Sequence, residues 1–223
     1  MVQNIELSQL MRIENMKNTW EEIKDIIYKS NKNIDVIDGN KELGTKECIR
    51  LNIPSDSVLY SVVTNSNGII IDNWIRLWGQ NSNDNNGIEY YNTLFRNDIE
   101  GLFLVASDVL GGLFAINTNK FNEGDNYIWY FAPDTLEWEC MDMQYNEFLA
   151  WSMQGNVDEF YSTMRWKNWR EDVNRIGINY ALLIYPFLWA RECDIDKASK
   201  KKVNIDEIIK INFEYHNNTI IRE

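Results

Sequence analysis

The residues able to do chemistry are unevenly stocked. The 223-residue chain has one histidine, His216, inside the polar stretch Glu214–Asn218. Ser–His–Asp and Cys–His catalysis both need an imidazole held by a rigid neighbour. A polar tail near a chain end frays, and the spacing places His216 exposed in such a tail. Catalytic zinc draws on two or three histidines in most sites, more than exist here. Cys48, Cys140 and Cys193 are far apart, odd in number and form no C-x-x-C pair. They read as buried free thiols of a reduced cytoplasm, not as a disulfide scaffold or a zinc knuckle. No catalytic residue, metal or cofactor is assigned.

Carboxylates are the remaining resource. Glu137 and Glu139 alternate with Leu136, Trp138 and Cys140. On a strand both acids would share a face about 6.6 Å apart, a separation two-acid hydrolases use. Any half-solvated strand shows the same alternation, and a solvated face is the expectation. Asp108-Val109-Leu110-Gly111-Gly112 offers an acid beside two glycines. It lacks the G-x-G-x-x-G pattern and a Walker lysine, so a nucleotide cradle is unsupported. A bulged hairpin with positive φ at glycine is the simpler reading. The candidate ligand or partner contacts are Arg76, Asp108, Gly111, Gly112, Asn117 and Asp134. The 81–87 loop lacks both the leading Asp and the bidentate Glu of a calcium loop, and reads as solvated. Arg165, Lys167 and Arg170 interleave with Trp166 and Trp169, as in single-strand binders. The two tryptophans also continue a helical stripe to Val173, which makes them core anchors. Lys200-Lys201-Lys202 reads as a solvated turn.

These residues need elements to hold them. Thr19-x-x-Glu22 is a capping box, and Trp20, Ile23, Ile26 and Ile27 follow at helical spacing. A helix over 41–50 is weakened by Gly44. Pro54–Ser57 starts another, with Val58, Leu59, Val62 and Val63 on its buried side, and Asn65–Gly68 ends it as a turn. The period then changes to strands: Ile69–Ile71 and Trp74–Trp78 across an Asp72-Asn73 hairpin, Leu102–Ala106, Leu113–Asn117, Tyr127–Phe131 and Leu136–Met141. Helix returns over Tyr145–Met153 and Val157–Met164. It continues over 166–176, with Trp166, Trp169, Val173 and Ile176 on one face. Tyr180–Ile184 reads as a strand buried on both sides, and Asn204-x-x-Glu207 caps a last short helix. The class is α+β, a central and mainly antiparallel sheet bracketed by N-terminal and C-terminal helices. No linker or repeat divides the chain. One domain over 1–223 is expected, with its core at about 18–210 and flexible termini.

Composition removes several function classes. Lys and Arg number 22 against 34 Asp and Glu, a net charge of −12 and a pI near 4.6. Nucleic-acid and anionic-lipid surfaces need clustered cations, so both are disfavoured. The first twenty residues lack the apolar core of a signal peptide, and the ten-residue stretch Ala181–Ala190 is too short to span a membrane. The expected setting is cytoplasmic.

Three blocks resemble a known family: Trp74–Gly79, Leu104–Asn117 and Trp129–Trp138. They are similar to the uncharacterised bacterial domain-of-unknown-function family 2625. Phe148-Leu149, Trp151, Phe160-Tyr161 and Tyr185–Trp189 fit as well, so the likeness covers about Trp20 to Ile209. Asn73 stands where that family usually has glycine, and Ser107 where it often has a second acid. More distantly, Asn67-Gly68, Asp108 with Gly111-Gly112, Trp129–Phe131 and Tyr145–Leu149 resemble the order of the SUKH superfamily. Its members are mostly non-enzymatic α+β binding modules, many of them immunity proteins against secreted toxins. The resemblance implies a non-catalytic module for a protein partner. An acidic chain would favour a basic one. The alternatives are a carboxylate-based hydrolase or small-ligand binder centred on the 104–117 hairpin, and a structural subunit of an assembly.

Overall fold

A computed structural model describes residues 20–220. Thr19 of the anticipated capping box lies outside them. Four elements precede the main sheet's long run: α1 (Trp20–Lys29), β1 (Ile34–Asp38), α2 (Lys41–Arg50) and α3 (Val58–Asn65). Then come β2 (Ser66–Ile71), β3 (Ile75–Trp78), α4 (Ile88–Leu94), β4 (Leu102–Asp108), β5 (Leu113–Asn117), β6 (Tyr127–Phe131) and β7 (Trp138–Gln144). The chain closes with α5 (Tyr145–Gln154), α6 (Val157–Phe160), α7 (Trp169–Asp172), β8 (Tyr180–Tyr185), β9 (Ser199–Asn204) and α8 (Ile205–Ile220).

The fold is α+β, with helices at both ends of the described chain. Strands β1 to β7 form one seven-stranded sheet in sequence order, each antiparallel to the next, while β8 and β9 pair separately. Alternation divides the sheet residues between two faces. Phe114 and Tyr130 are paired across β5 and β6, and Phe114 meets Phe148 of α5 at 4.6 Å between ring centroids. Leu113 and Phe131 are paired one position along, on the opposite face, and Phe131 meets Phe213 of α8 at 5.2 Å. Helix α1 packs with α3 and α5 on the first side. On the second, Tyr91 of α4 stacks on Trp78 at 4.0 Å.

Local chemistry explains the helix starts. Asn40 accepts from Glu42 N and Leu43 N at the head of α2, and Ser57 accepts from Tyr60 N at the head of α3. Gly44 stays inside α2 because α2 and α3 approach closely: a Cβ there would strike Val63 O. The β2–β3 turn holds Asp72 and Asn73 at φ 50° and 54°, which these short polar residues tolerate.

Several expectations are corrected. Asn65–Gly68 is no turn: α3 passes directly into β2, and Ser66 and Asn67 are satisfied by Val62 O and Gln80 O. Strand β7 begins at Trp138 rather than Leu136, so Glu137 precedes it, and Glu137 and Glu139 are both exposed, as the solvated-face reading expects. The 166–176 helix shrinks to α7 within turns, although Trp166, Trp169, Val173 and Ile176 are all buried. Tyr180 and Tyr185 are exposed at the ends of β8, so that strand is not buried throughout. Lys200–Lys202 belong to β9, pairing with Leu182–Ile184. The last helix runs sixteen residues to Ile220 and buries Phe213, beyond the expected core limit. His216 therefore lies on a helix, half-buried, with its ring edge-on to Phe131 at 5.4 Å. No helix among the described residues is long and apolar enough to cross a membrane.

Candidate functional site

Three of the six candidate residues, Asp108, Gly111 and Gly112, meet in one buried knot. Asp108 ends β4, and the turn to β5 carries Gly111 at φ 86°, the positive value expected of a glycine hairpin. The carboxylate is 0% exposed. Its Oδ1 accepts from Leu110 N at 2.8 Å and Gly112 N at 3.0 Å, fixing the turn. Its Oδ2 accepts from the Tyr130 hydroxyl at 2.7 Å and the Tyr161 hydroxyl at 3.1 Å. One side chain thus ties β4, the hairpin, β6 and the segment after α6 together. Gly112 is obligatory because a Cβ there would run into Oδ2 of Asp108.

Arg76 lies on the neighbouring strand, opposite Ser107, and is 1% exposed. Its Nη1 donates to Trp74 O at 2.9 Å while its Nε finds no partner. Burial lowers its pKa to about 10, and the Asp108 charge opposes that shift. Burial raises the Asp108 pKa, against its four hydrogen bonds. It raises both tyrosines well above their ordinary value, the nearby Asp108 charge adding to it. With both oxygens engaged inside the core, Asp108 presents no lone pair to solvent. The arrangement closes one end of the sheet and does not display a reactive group.

Asp134 sits half-buried in the β6–β7 turn at this same end. Asn117 lies at the far end of β5. It donates to Phe121 O and Glu123 O and accepts from Lys120 N and Phe121 N, which makes it the anchor of the 118–126 loop. In the cationic–aromatic segment Trp166, Trp169 and the Arg165 side chain are buried, whereas Lys167 and Arg170 are exposed. The Arg165 guanidinium lies 4.6 Å from the Trp74 ring and 4.0 Å from Trp169, and pairs with Asp158. Cys48 is buried, whereas Cys140 and Cys193 are partly exposed, and all three are free. Among the described residues no group of three His, Cys, Asp or Glu could hold a metal.

The open features lie elsewhere. A cleft of about 340 Å³ is lined by Pro54, Ser57, Val58, Ile116, Gln144 and Tyr145. Two helix starts face it, but both are already capped, by Ser57 on Tyr60 N and by Glu147 on Gln144 N. A second cavity of about 170 Å³ lies against β7, lined by Tyr130, Glu139, Met141, Met143, Trp151 and Phe160. Spacing alone missed it, because a β-bulge shapes it. Opposite Tyr127–Trp129 of β6, β7 places Cys140 to Gln144, with Asp142 at φ 52°. The available signal was charge. Between Lys120 and Arg165 the chain has nine carboxylates and no lysine, arginine or histidine. Strand β7 is also an edge of the sheet, with Glu139 and Asp142 exposed upon it. A third feature is an aromatic ladder: Phe187 stacks on Trp189 at 4.8 Å, and Trp189 meets Tyr215 at 4.2 Å. Tyr215 is 46% exposed, and the neighbouring Tyr185 is 64% exposed.

The fold is α+β, with a polar knot buried around Asp108 and exposed acids on the β7 edge of the sheet. The chain belongs to a family of proteins of unknown function, DUF2625, whose profile matches residues 7–208. It is similar to the uncharacterized protein YbfG of Escherichia coli K12, 28% identical over 211 residues, 94% of this chain and 96% of that one. It is also 30% identical over 203 residues to an uncharacterized protein of Haemophilus influenzae Rd, covering 88% of this chain and 89% of that one.

Proposed function

We propose that the chain is a non-catalytic, cytoplasmic protein-binding module, a single folded unit that meets a basic partner through its acidic sheet edge. The observation that carries this reading is the placement of charge. Nine carboxylates with no intervening cation fall between residues 121 and 164, and the free strand β7 runs through the middle of them. A one-signed edge of this kind raises encounter rates with oppositely charged proteins. The internal engagement of Asp108 favours binding over carboxylate catalysis at the hairpin. The SUKH-like order of motifs adds an immunity role against a basic toxin, whose cleft such an edge would cover.

The test is kinetic. Proteins captured on the tagged chain at low salt are purified, and association is measured with the native chain and with the Glu137→Gln, Glu139→Gln, Asp142→Asn triple variant. A basic partner whose on-rate falls about tenfold or more with the variant, with the off-rate little changed, supports the reading. An on-rate insensitive to both salt and the variant refutes it.

The aromatic ladder of Phe187, Trp189 and Tyr215, beside exposed Tyr185, favours a second reading, a subunit of an assembly. Sedimentation velocity over a wide concentration range separates the two, since a strict monomer excludes self-assembly through that face.

A further inference from the structure

We propose that the cavity beside β7 receives an arginine side chain of the basic partner. The inference rests on the binding reading above and gives it a specific contact. The cavity holds about 170 Å³, below the roughly 300–1,000 Å³ of a drug-sized ligand site and suited to one side chain. Its aromatic lining is angular: Trp151 meets Phe160 at 5.2 Å and 81°, and Tyr130 meets Phe160 at 5.2 Å and 66°. Rings set at steep angles offer π-faces from several directions, and Met141 and Met143 add polarizable thioethers. Glu139 supplies an exposed carboxylate at the same cavity, and among the described residues no cation pairs with it.

The chain already contains a filled version of this recognition. Arg165 lies over Trp74 and Trp169 with Asp158 as its counter-charge. The β7 cavity repeats the ingredients, aromatic rings with one carboxylate, and lacks the cation. Arginine fits better than lysine because its planar, weakly hydrated guanidinium stacks on rings and pairs with a carboxylate together. Strand addition along β7 is disfavoured, because the bulge at Met141–Met143 breaks the ladder and charged side chains guard the edge.

The full chain labelled with 13C at its methionine methyls is titrated with acetyl-Gly-Arg-Gly-amide. The isosteric citrulline peptide, which lacks the charge, serves as control. The Met141 and Met143 methyl signals should move and saturate with the arginine peptide and stay still with citrulline. Glu139→Gln should weaken the response about threefold to fivefold, as loss of one exposed charge pair does. Asp38→Asn, on β1 at the opposite edge of the sheet, should leave it unchanged. Equal shifts with both peptides, or no saturable shift at these methyls, overturn the arginine site. The basic-partner reading stands or falls separately, on whether the triple charge variant slows partner association.

Discussion

Asp108 is the residue whose removal the structure values most highly. Truncation to alanine strands four donors at once: Leu110 N, Gly112 N and the hydroxyls of Tyr130 and Tyr161. Each buried donor left without a partner costs about 1–3 kcal/mol. Relaxation of the hairpin lets some of them recover, so with two of the four remaining unsatisfied the loss is roughly 2–6 kcal/mol. That is a large fraction of the roughly 5–15 kcal/mol that holds a domain together. Asp108→Asn keeps the oxygen facing the two backbone N–H groups and turns an amide toward the two hydroxyls, which can accept from it. Its expected cost is about 1–2 kcal/mol. Urea unfolding followed by circular dichroism at pH 7 measures both, with equal slopes as the check that the unfolded states compare. A loss below about 1 kcal/mol for Asp108→Ala refutes the reasoning.

The pH dependence supplies a second arm. Burial raises the folded-state pKa of Asp108, so the folded protein takes up this proton before the unfolded chain does, whose value is near about 3.9. The carboxyl's contribution is therefore full below the unfolded value and declines as pH rises through the raised folded value. The native chain should gain stability relative to Asp108→Asn as pH is lowered from neutral. A difference that shrinks on acidification would overturn the assignment.

Other residues make independent predictions. Gly111→Ala is strained twice, by φ 86° and by contact with Ile208 of α8, and should lower stability by about 2–4 kcal/mol in the same unfolding assay. A cost under about 0.5 kcal/mol would show that the turn adapts freely. Lys32 is half-buried with Nζ on Ser152 O, and burial lowers its pKa to about 8. The unfolded chain then binds that proton more tightly, so stability should rise between pH 8 and 9.5. Lys32→Met should flatten the rise by on the order of 1–2 kcal/mol, allowing for solvent screening. An unchanged slope refutes it. Asn117→Ala should release the 118–126 loop, seen as faster amide exchange at Lys120 and Phe121, both bonded to Asn117 Oδ1. Unaltered exchange there would mean that the loop holds itself.

The sequence discloses the parts of this fold that are written locally. The two glycines after Asp108 announce a hairpin, and the aromatic runs at Trp74–Trp78 and Tyr127–Phe131 announce strands. Each signal lies within a few residues of the structure it makes. What stays hidden depends on distant partners. Strand β9 reads as a lysine run because its identity comes from pairing with β8, and an edge strand is permitted solvent-loving residues. Tyr130 and Tyr161 reach Asp108 from 22 and 53 residues away, which no spacing rule anticipates. The cavity at β7 arises from a bulge at Met141–Met143, and a bulge shifts which residues share a face. The excess of acid is visible as a total and as a run of nine carboxylates without a cation between Lys120 and Arg165; that Glu139 and Asp142 of this run stand on an edge strand emerges only when the strands are laid side by side.

The strict sequence order of the seven strands has a consequence for how the protein is born. Every strand of the main sheet pairs with the one just made, so the sheet can grow from β1 onward as the chain leaves the ribosome, without waiting for a distant segment. Strand β7 is then the growing front, and its row of free backbone groups would accept any further strand, including one from a neighbouring nascent chain. The carboxylates and the bulge at that front act as a stop signal, ending the sheet after seven strands and keeping newly made copies from joining edge to edge.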